Sequence, residues 1–332
     1  MRNKLFGLTL LCMSFAGGWA WMDYRHALTA PIVKDNPVVI EIVKGDSMTR
    51  IAEKLAEQQL KVSVLWFKVI ALKNQTAAKL KTGEYEFTTG LTLPEIIDQI
   101  AKGKTRQHSI TFPEGWSLAE ILAAVNNNPY IDHTIQNTSP EALRAQLGIS
   151  ESNGEGLFFP DTYFFEKNMS DVSLLKRAYG RMQSVLQEEW AQRSANLPLN
   201  SPYQALILAS INEKETGAKD ERPLIAGVMV RRLQSDMPLQ TDPTVIYGMG
   251  ANFHGNIAEQ DLKTPTPYNT YLIKGLPPTP IAMPGRESIH ATLHPDTGNS
   301  LYFVAKGNGT HVFSSTLQDH NHAVEIFQKQ KK

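Results

Sequence analysis

Residues 38–62 read VVIEIVKGDSMTRIAEKLAEQQLKV. The opening run is rich in Val and Ile and predicts a short strand. Gly45 then permits a tight turn. Ser47 is placed to accept a hydrogen bond from the first turn of a helix. Ile51 and Leu55, four residues apart, give that helix an apolar face. The spacing recurs: glycine, any residue, Ser or Thr, a hydrophobic residue, two variable residues, then Ile. It returns as Gly90-Leu91-Thr92-Leu93-Pro94-Glu95-Ile96 and as Gly115-Trp116-Ser117-Leu118-Ala119-Glu120-Ile121. Short β-like runs at 84–88 and 108–113 precede these two copies. Repeated strand–turn–helix units in a chain of 332 residues predict an α+β protein of two or three domains.

Upstream of the first unit, Arg2 and Lys4 precede an uncharged run, LFGLTLLCMSFAGGWAWM, over 5–22. This length just spans a bilayer. Trp19 and Trp21 stand at its far end, where an aromatic belt would lie. The expectation is a transmembrane helix with its N-terminus in the cytoplasm and all later residues exported. The rival is a signal peptide cleaved near Ala16-Gly17-Gly18. Cys12 is the only cysteine, so no disulfide forms within the chain and no thiol serves the exported part. Lys+Arg and Asp+Glu both number 33, a balance that argues against nucleic acid as a partner.

Downstream, residues 206–216 read LILASINEKET. On a helical wheel, Leu208, Ile211 and Glu215 share one stripe, and Glu213 falls nearly opposite. This reading predicts an amphipathic helix with Glu215 on its packed face. A carboxyl there has its pKa raised unless it is paired, and a carboxylic acid protonated near neutral pH can act as a general acid. Glu213 reads as a partner or surface residue. Gln240, Thr241, Asp242 and Thr244 form a polar group before an apolar segment. Tyr268, Asn269 and Tyr271 precede a loop stiffened by Pro277, Pro278, Pro280 and Pro284. Tyr and Asn on rigid loops suit sugar binding, and Gln240, Asp242, Thr244, Tyr268, Asn269 and Tyr271 are the expected substrate contacts. Loop hydrogen bonding is the alternative for each. His290 and His294 have the spacing of metal ligands on a helix. No glutamate follows His290 to complete a zinc motif, so neither metal nor cofactor is expected.

The first strand–turn–helix unit resembles a LysM domain, a module that binds N-acetylglucosamine polymers. The motifs Glu213-Lys214-Glu215-Thr216, Gln240-Thr241-Asp242-Pro243-Thr244-Val245, Tyr268-Asn269-Thr270-Tyr271 and Gly275-Leu276-Pro277-Pro278 resemble the MltG (YceG-like) family of endolytic murein transglycosylases. The aromatic run EGLFFPDTYFF at 155–165 fits the same resemblance. It implies an α+β chain with a transmembrane helix over 1–22, a linker over 23–36 and a LysM-like small α/β module over 37–105. A connecting mixed region over 106–200 and a mixed α+β catalytic domain over 201–332 complete it. It further implies a lyase of the inner membrane that cuts the MurNAc–GlcNAc bond within nascent glycan strands on the periplasmic side, close to peptidoglycan synthases. Glu215 would be the single acid/base. Asp242 stays open between a site-organising role, electrostatic support and a nucleophile, the last of which would make the enzyme a hydrolytic muramidase. A non-catalytic scaffold on the cell wall is the remaining alternative.

Overall fold

The computed structural model describes residues 2–151 and 153–329. It is an α+β chain that divides into two compact units, 1–108 with 164–168, and 109–163 with 169–332.

In the first unit, helix α1 (Arg2–Thr29) leads to strand β1 (Val38–Ile42), helices α2 (Met48–Glu57) and α3 (Val64–Lys73), strand β2 (Gly83–Phe87) and helix α4 (Leu93–Lys102). β1 and β2 pair antiparallel, with Ile40 opposite Tyr85. Ile40 and Ile42 from the ribbon, Ile51 and Leu55 from α2, Phe67 and Ile70 from α3, and Ile96, Ile97 and Ile100 from α4 form one core. The repeated motif forms as its chemistry dictates. Gly45, Gly90 and Gly115 have φ of 100°, 90° and 76°, a region that other residues rarely adopt. Ser47 accepts the Arg50 N–H at 3.2 Å. Ser117 and Thr92 each form a reciprocal box with the glutamate three residues on, Glu120 and Glu95.

α1 is a single helix whose apolar side chains, among them Phe6, Leu8, Met13, Phe15, Trp19 and Trp21, are exposed. Among the described residues no helix is long and apolar enough to cross a membrane. The spanning helix expected over 1–22 is therefore not shown. Gly7, Thr9, Ser14, Gly17 and Gly18 dilute the apolar run, and Asp23 and Arg25 continue the same helix. The side chains of residues 2–5, with the Arg2 and Lys4 charges, lie outside the described residues.

Strands β3 (Gln107–Thr111) and β5 (Thr162–Glu166) form a two-stranded sheet, and the division between the units falls within both strands. Between them run α5 (Leu118–Asn126), the short β4 (Ile131–Asp132) and α6 (Pro140–Leu147). β6 (Met169–Ser170) pairs parallel with β4 and opens α7 (Asp171–Ala191). There follow α8 (Pro202–Glu215), α9 (Arg222–Gln234), α10 (Asp242–Met249), α11 (Glu259–Lys263) and α12 (Arg286–Leu293). The hairpin β7 (Tyr302–Ala305) and β8 (His311–Ser314) and helix α13 (Leu317–Val324) close the second unit.

α8 is the centre of this unit and packs against α7, α9, α10 and α12. Its residues from Ala205 to Asn212 are buried at every position. The amphipathic stripe read from the sequence is thus replaced by a helix enclosed on all sides, as a helix ringed by others must be. The aromatic run at 157–159 is buried as well, so its rings serve the core.

Phe67 has no exposed surface in the first unit's core. Phe67→Ala is expected to destabilise that unit by about 3–5 kcal/mol, read from denaturant unfolding followed by near-UV circular dichroism.

Candidate active site

The last turn of α8 carries two glutamates with opposite surroundings. Glu213 is buried and paired: Arg222 Nη2 donates to it at 3.1 Å and the Gly285 N–H at 2.9 Å. Arg222 also donates to Glu287 at 2.7 Å, so its guanidinium is committed to this cluster. Glu215, two residues on, has no hydrogen-bond donor among the described residues. Protein surrounds its carboxyl, although the residue keeps part of its surface accessible. Burial first, and then the negative charge of Asp242, raise its pKa to about 8. The C-terminal end of α8 is itself the negative end of a helix dipole and works in the same direction.

Asp242 is exposed at the first turn of α10, the positive end of that helix. The Tyr271 hydroxyl donates to its Oδ1 at 2.6 Å. Burial, the Asp242 bond and the charges of Asp242 and Glu215 all push the Tyr271 pKa up, so Tyr271 remains a donor. Glu215, Asp242 and Tyr271 therefore form one electrostatic group.

Two loops hold this group. Asn269 is fully buried, and its amide donates to the carbonyls of Asp261, Leu262 and Thr264 at 3.3, 3.0 and 2.8 Å. Its Oδ1 accepts the Tyr271 N–H at 3.0 Å. Thr244 is equally buried and meets the Thr270 hydroxyl at 2.8 Å, while the Thr241 N–H donates to Thr270 Oγ1 at 3.0 Å. Thr244 and Asn269, both expected as substrate contacts, are buried, and their polar atoms are bonded within the protein. Gln240 is exposed with φ of 54°, and its Oε1 accepts from Arg232 Nη1 at 3.0 Å. Buried Arg232 also donates to the carbonyls of Pro238, Leu239 and Leu301, fixing the loop from which α10 starts.

Tyr268 belongs to a second group that sequence reasoning missed. Its hydroxyl lies 2.8 Å from Thr279 Oγ1, and its ring meets Tyr247 edge-on at 4.8 Å between centroids. The Tyr247 hydroxyl donates to Glu155 at 3.2 Å, and the Leu118 N–H donates to the same carboxyl at 2.9 Å. Burial raises the Glu155 pKa to about 7 against these bonds. The only trace of Glu155 in the sequence is a charge at the head of an aromatic run.

A family model described as the YceG-like family matches residues 40–326. The chain belongs to the YceG-like family. It is 33% identical over 324 residues to the endolytic murein transglycosylase of Bacillus subtilis (strain 168), covering 92% of this chain and 89% of that protein. It is 27% identical over 353 residues to the endolytic murein transglycosylase of Streptococcus pneumoniae serotype 2 (strain D39), covering 96% of this chain and 63% of that protein. The crystal structure of a YceG-like protein, lmo1499, from Listeria monocytogenes is similar at 28% identity. It matches with a TM-score of 0.57 over 86% of this chain and 98% of that chain. The family named from the motifs is thus the family found.

Unfolded carboxyls lose their protons near pH 4.3, whereas folded Glu155 and Glu215 hold theirs to about 7 and about 8. Between these values the folded state binds more protons, so stability falls as pH rises. Glu155→Gln and Glu215→Gln should each flatten the decline of Tm between about pH 5 and about pH 8. A Tm profile parallel to the parent's would show that the acid in question is not held neutral by folding.

Proposed function

We propose that this chain is a membrane-attached endolytic murein transglycosylase with Glu215 as its single acid/base. The observation that carries the reading is the Glu215 carboxyl, unpaired and raised to about 8 beside Asp242, while its neighbour Glu213 takes the available arginine. A carboxylic acid that keeps its proton near neutral pH is what departure of a sugar oxygen requires.

The reaction balances with that one group. Glu215 donates its proton to the oxygen joining MurNAc C1 to GlcNAc O4, and that bond breaks. The MurNAc 6-hydroxyl attacks C1, and the Glu215 carboxylate takes the hydroxyl proton as the 1,6-anhydro ring closes. Glu215 ends protonated, no water is consumed, and the tethered nucleophile gains from a high effective molarity. Asp242 then gives electrostatic support to the cationic transition state, with Tyr271 holding its carboxyl in place. Exposed Gln240 and half-buried Tyr268 and Tyr271 supply the surface on which sugar rings rest. The LysM-like module over 37–105 grips the glycan strand. The catalytic region over 201–332 is completed by Glu155 from the connecting region over 106–200.

The apolar side chains exposed along α1 support attachment to the inner membrane, with Arg2 and Lys4 on the cytoplasmic side and the chain after residue 22 leading into the periplasm. There the enzyme would meet nascent strands beside a peptidoglycan synthase.

Mass spectrometry of glycan digested by the protein is expected to give 1,6-anhydroMurNAc ends, with Glu215→Gln folded and slower by about 10²–10⁴-fold. Ordinary reducing ends would instead make Asp242 a water-activating base, and full activity of Glu215→Gln would overturn the assignment. Removal of residues 1–22 should release the protein from the membrane fraction; persistent association would place the attachment elsewhere.

A further inference from the structure

On α12, His290 and His294 lie four residues apart and their rings stand 4.3 Å apart between centroids. The sequence offers no third ligand near them, but the fold does. Glu189, buried near the end of α7, places a carboxylate oxygen 2.8 Å from His290 Nδ1. One oxygen of Glu189 and one ring nitrogen of each histidine all lie within 4.8 Å of one another. We propose that Glu189, His290 and His294 form a binding site for a divalent transition-metal ion, with zinc the ion of choice.

The donor set fits that chemistry. Two imidazole nitrogens and one carboxylate oxygen suit zinc and its first-row neighbours, whereas Mg²⁺ and Ca²⁺ require shells of oxygen. Three protein ligands leave the fourth tetrahedral position to water. Ligand bonds of about 2.1 Å set ligand atoms about 3.4 Å apart in a zinc tetrahedron. The cluster is therefore somewhat wider than its loaded form, and closing it requires a shift of the exposed His290 side chain away from its hydrogen bond with Glu189. His294 supplies an independent sign. Its Nε2 is buried with no hydrogen-bond partner among the described residues, while its Nδ1 lies 3.5 Å from Ser194 Oγ. A buried imidazole nitrogen without a partner is costly unless something coordinates it.

The surroundings match a built site. Arg286 Nη1 donates to Glu189 Oε1 at 2.7 Å, which orients the carboxylate and leaves its other oxygen toward His290. Glu188 pairs with the same guanidinium and offsets its charge. A bound ion would replace the Glu189–His290 hydrogen bond with a link between α7 and α12, both of which pack on α8. Glu189 and His290 line a cavity that Arg222 and Glu287 also border, but neither Glu215 nor Asp242 belongs to it, and the site does not depend on the reaction assigned to them.

The test uses the full chain, stripped with a chelator and dialysed against zinc chloride. One zinc per chain by elemental analysis is expected, with a Tm several degrees higher than that of the stripped protein. Cobalt(II) in its place should give the intense visible bands of a tetrahedral site. Because His290 is exposed, His290→Ala leaves the core intact, and it should weaken zinc binding by at least about tenfold. The double variant His290→Ala with His294→Ala should abolish the stoichiometric ion, and magnesium chloride should give no shift in Tm. Less than stoichiometric zinc on the parent, or equal binding by the parent and the double variant, would overturn the proposal.

Discussion

Arg222 decides how the two glutamates at the end of α8 divide their duties. Its guanidinium is buried with Glu213 and reaches Glu287 on the far side. A buried carboxylate beside a guanidinium can stay charged, and one without such a partner is driven toward its neutral form. Glu213 pairs with the arginine and, through the Gly285 N–H, ties α8 to the start of α12. Glu215 receives none of this. Its chemistry comes from an ion pair that its neighbour has taken.

Helix ends sharpen the contrast. α8 ends at Glu215 and α10 begins at Asp242, so one carboxyl sits at a negative helix end and the other at a positive one. The fold thereby separates two chemically similar side chains by the direction of the peptide dipoles behind them. The start of α10 is held by the carbonyl bonds of Arg232 and by the threonine hydroxyls of 241, 244 and 270.

Much of the local architecture was legible in the sequence because its causes are local. A left-handed glycine, a hydroxyl cap and a hydrophobic residue four positions into a helix act within one turn, and all three copies of the motif formed as read. The motifs that revealed the family are likewise short. What stayed hidden depends on distance. Glu155 meets Tyr247 across 92 positions and Glu189 meets His290 across 101, and no periodicity records such pairings. The wheel that singled out Glu215 assumed one wet face, whereas α8 has none over 205–212. Its choice of residue rested on a geometry the fold does not have, and the lack of a counter-ion is the better physical reason. Asn269 and Thr244 read as sugar contacts because their polar groups suit sugars and backbone equally well. Only burial reveals that those groups are spent on the backbone.

The buried amide of Asn269 has a thermodynamic consequence. By gathering three carbonyls and one N–H, it ties the segment from Asp261 to Tyr271 together. The ordering entropy of that segment is then part of folding and would not be charged against a ligand bound there. A glycan strand bound against this segment would meet backbone that is already ordered.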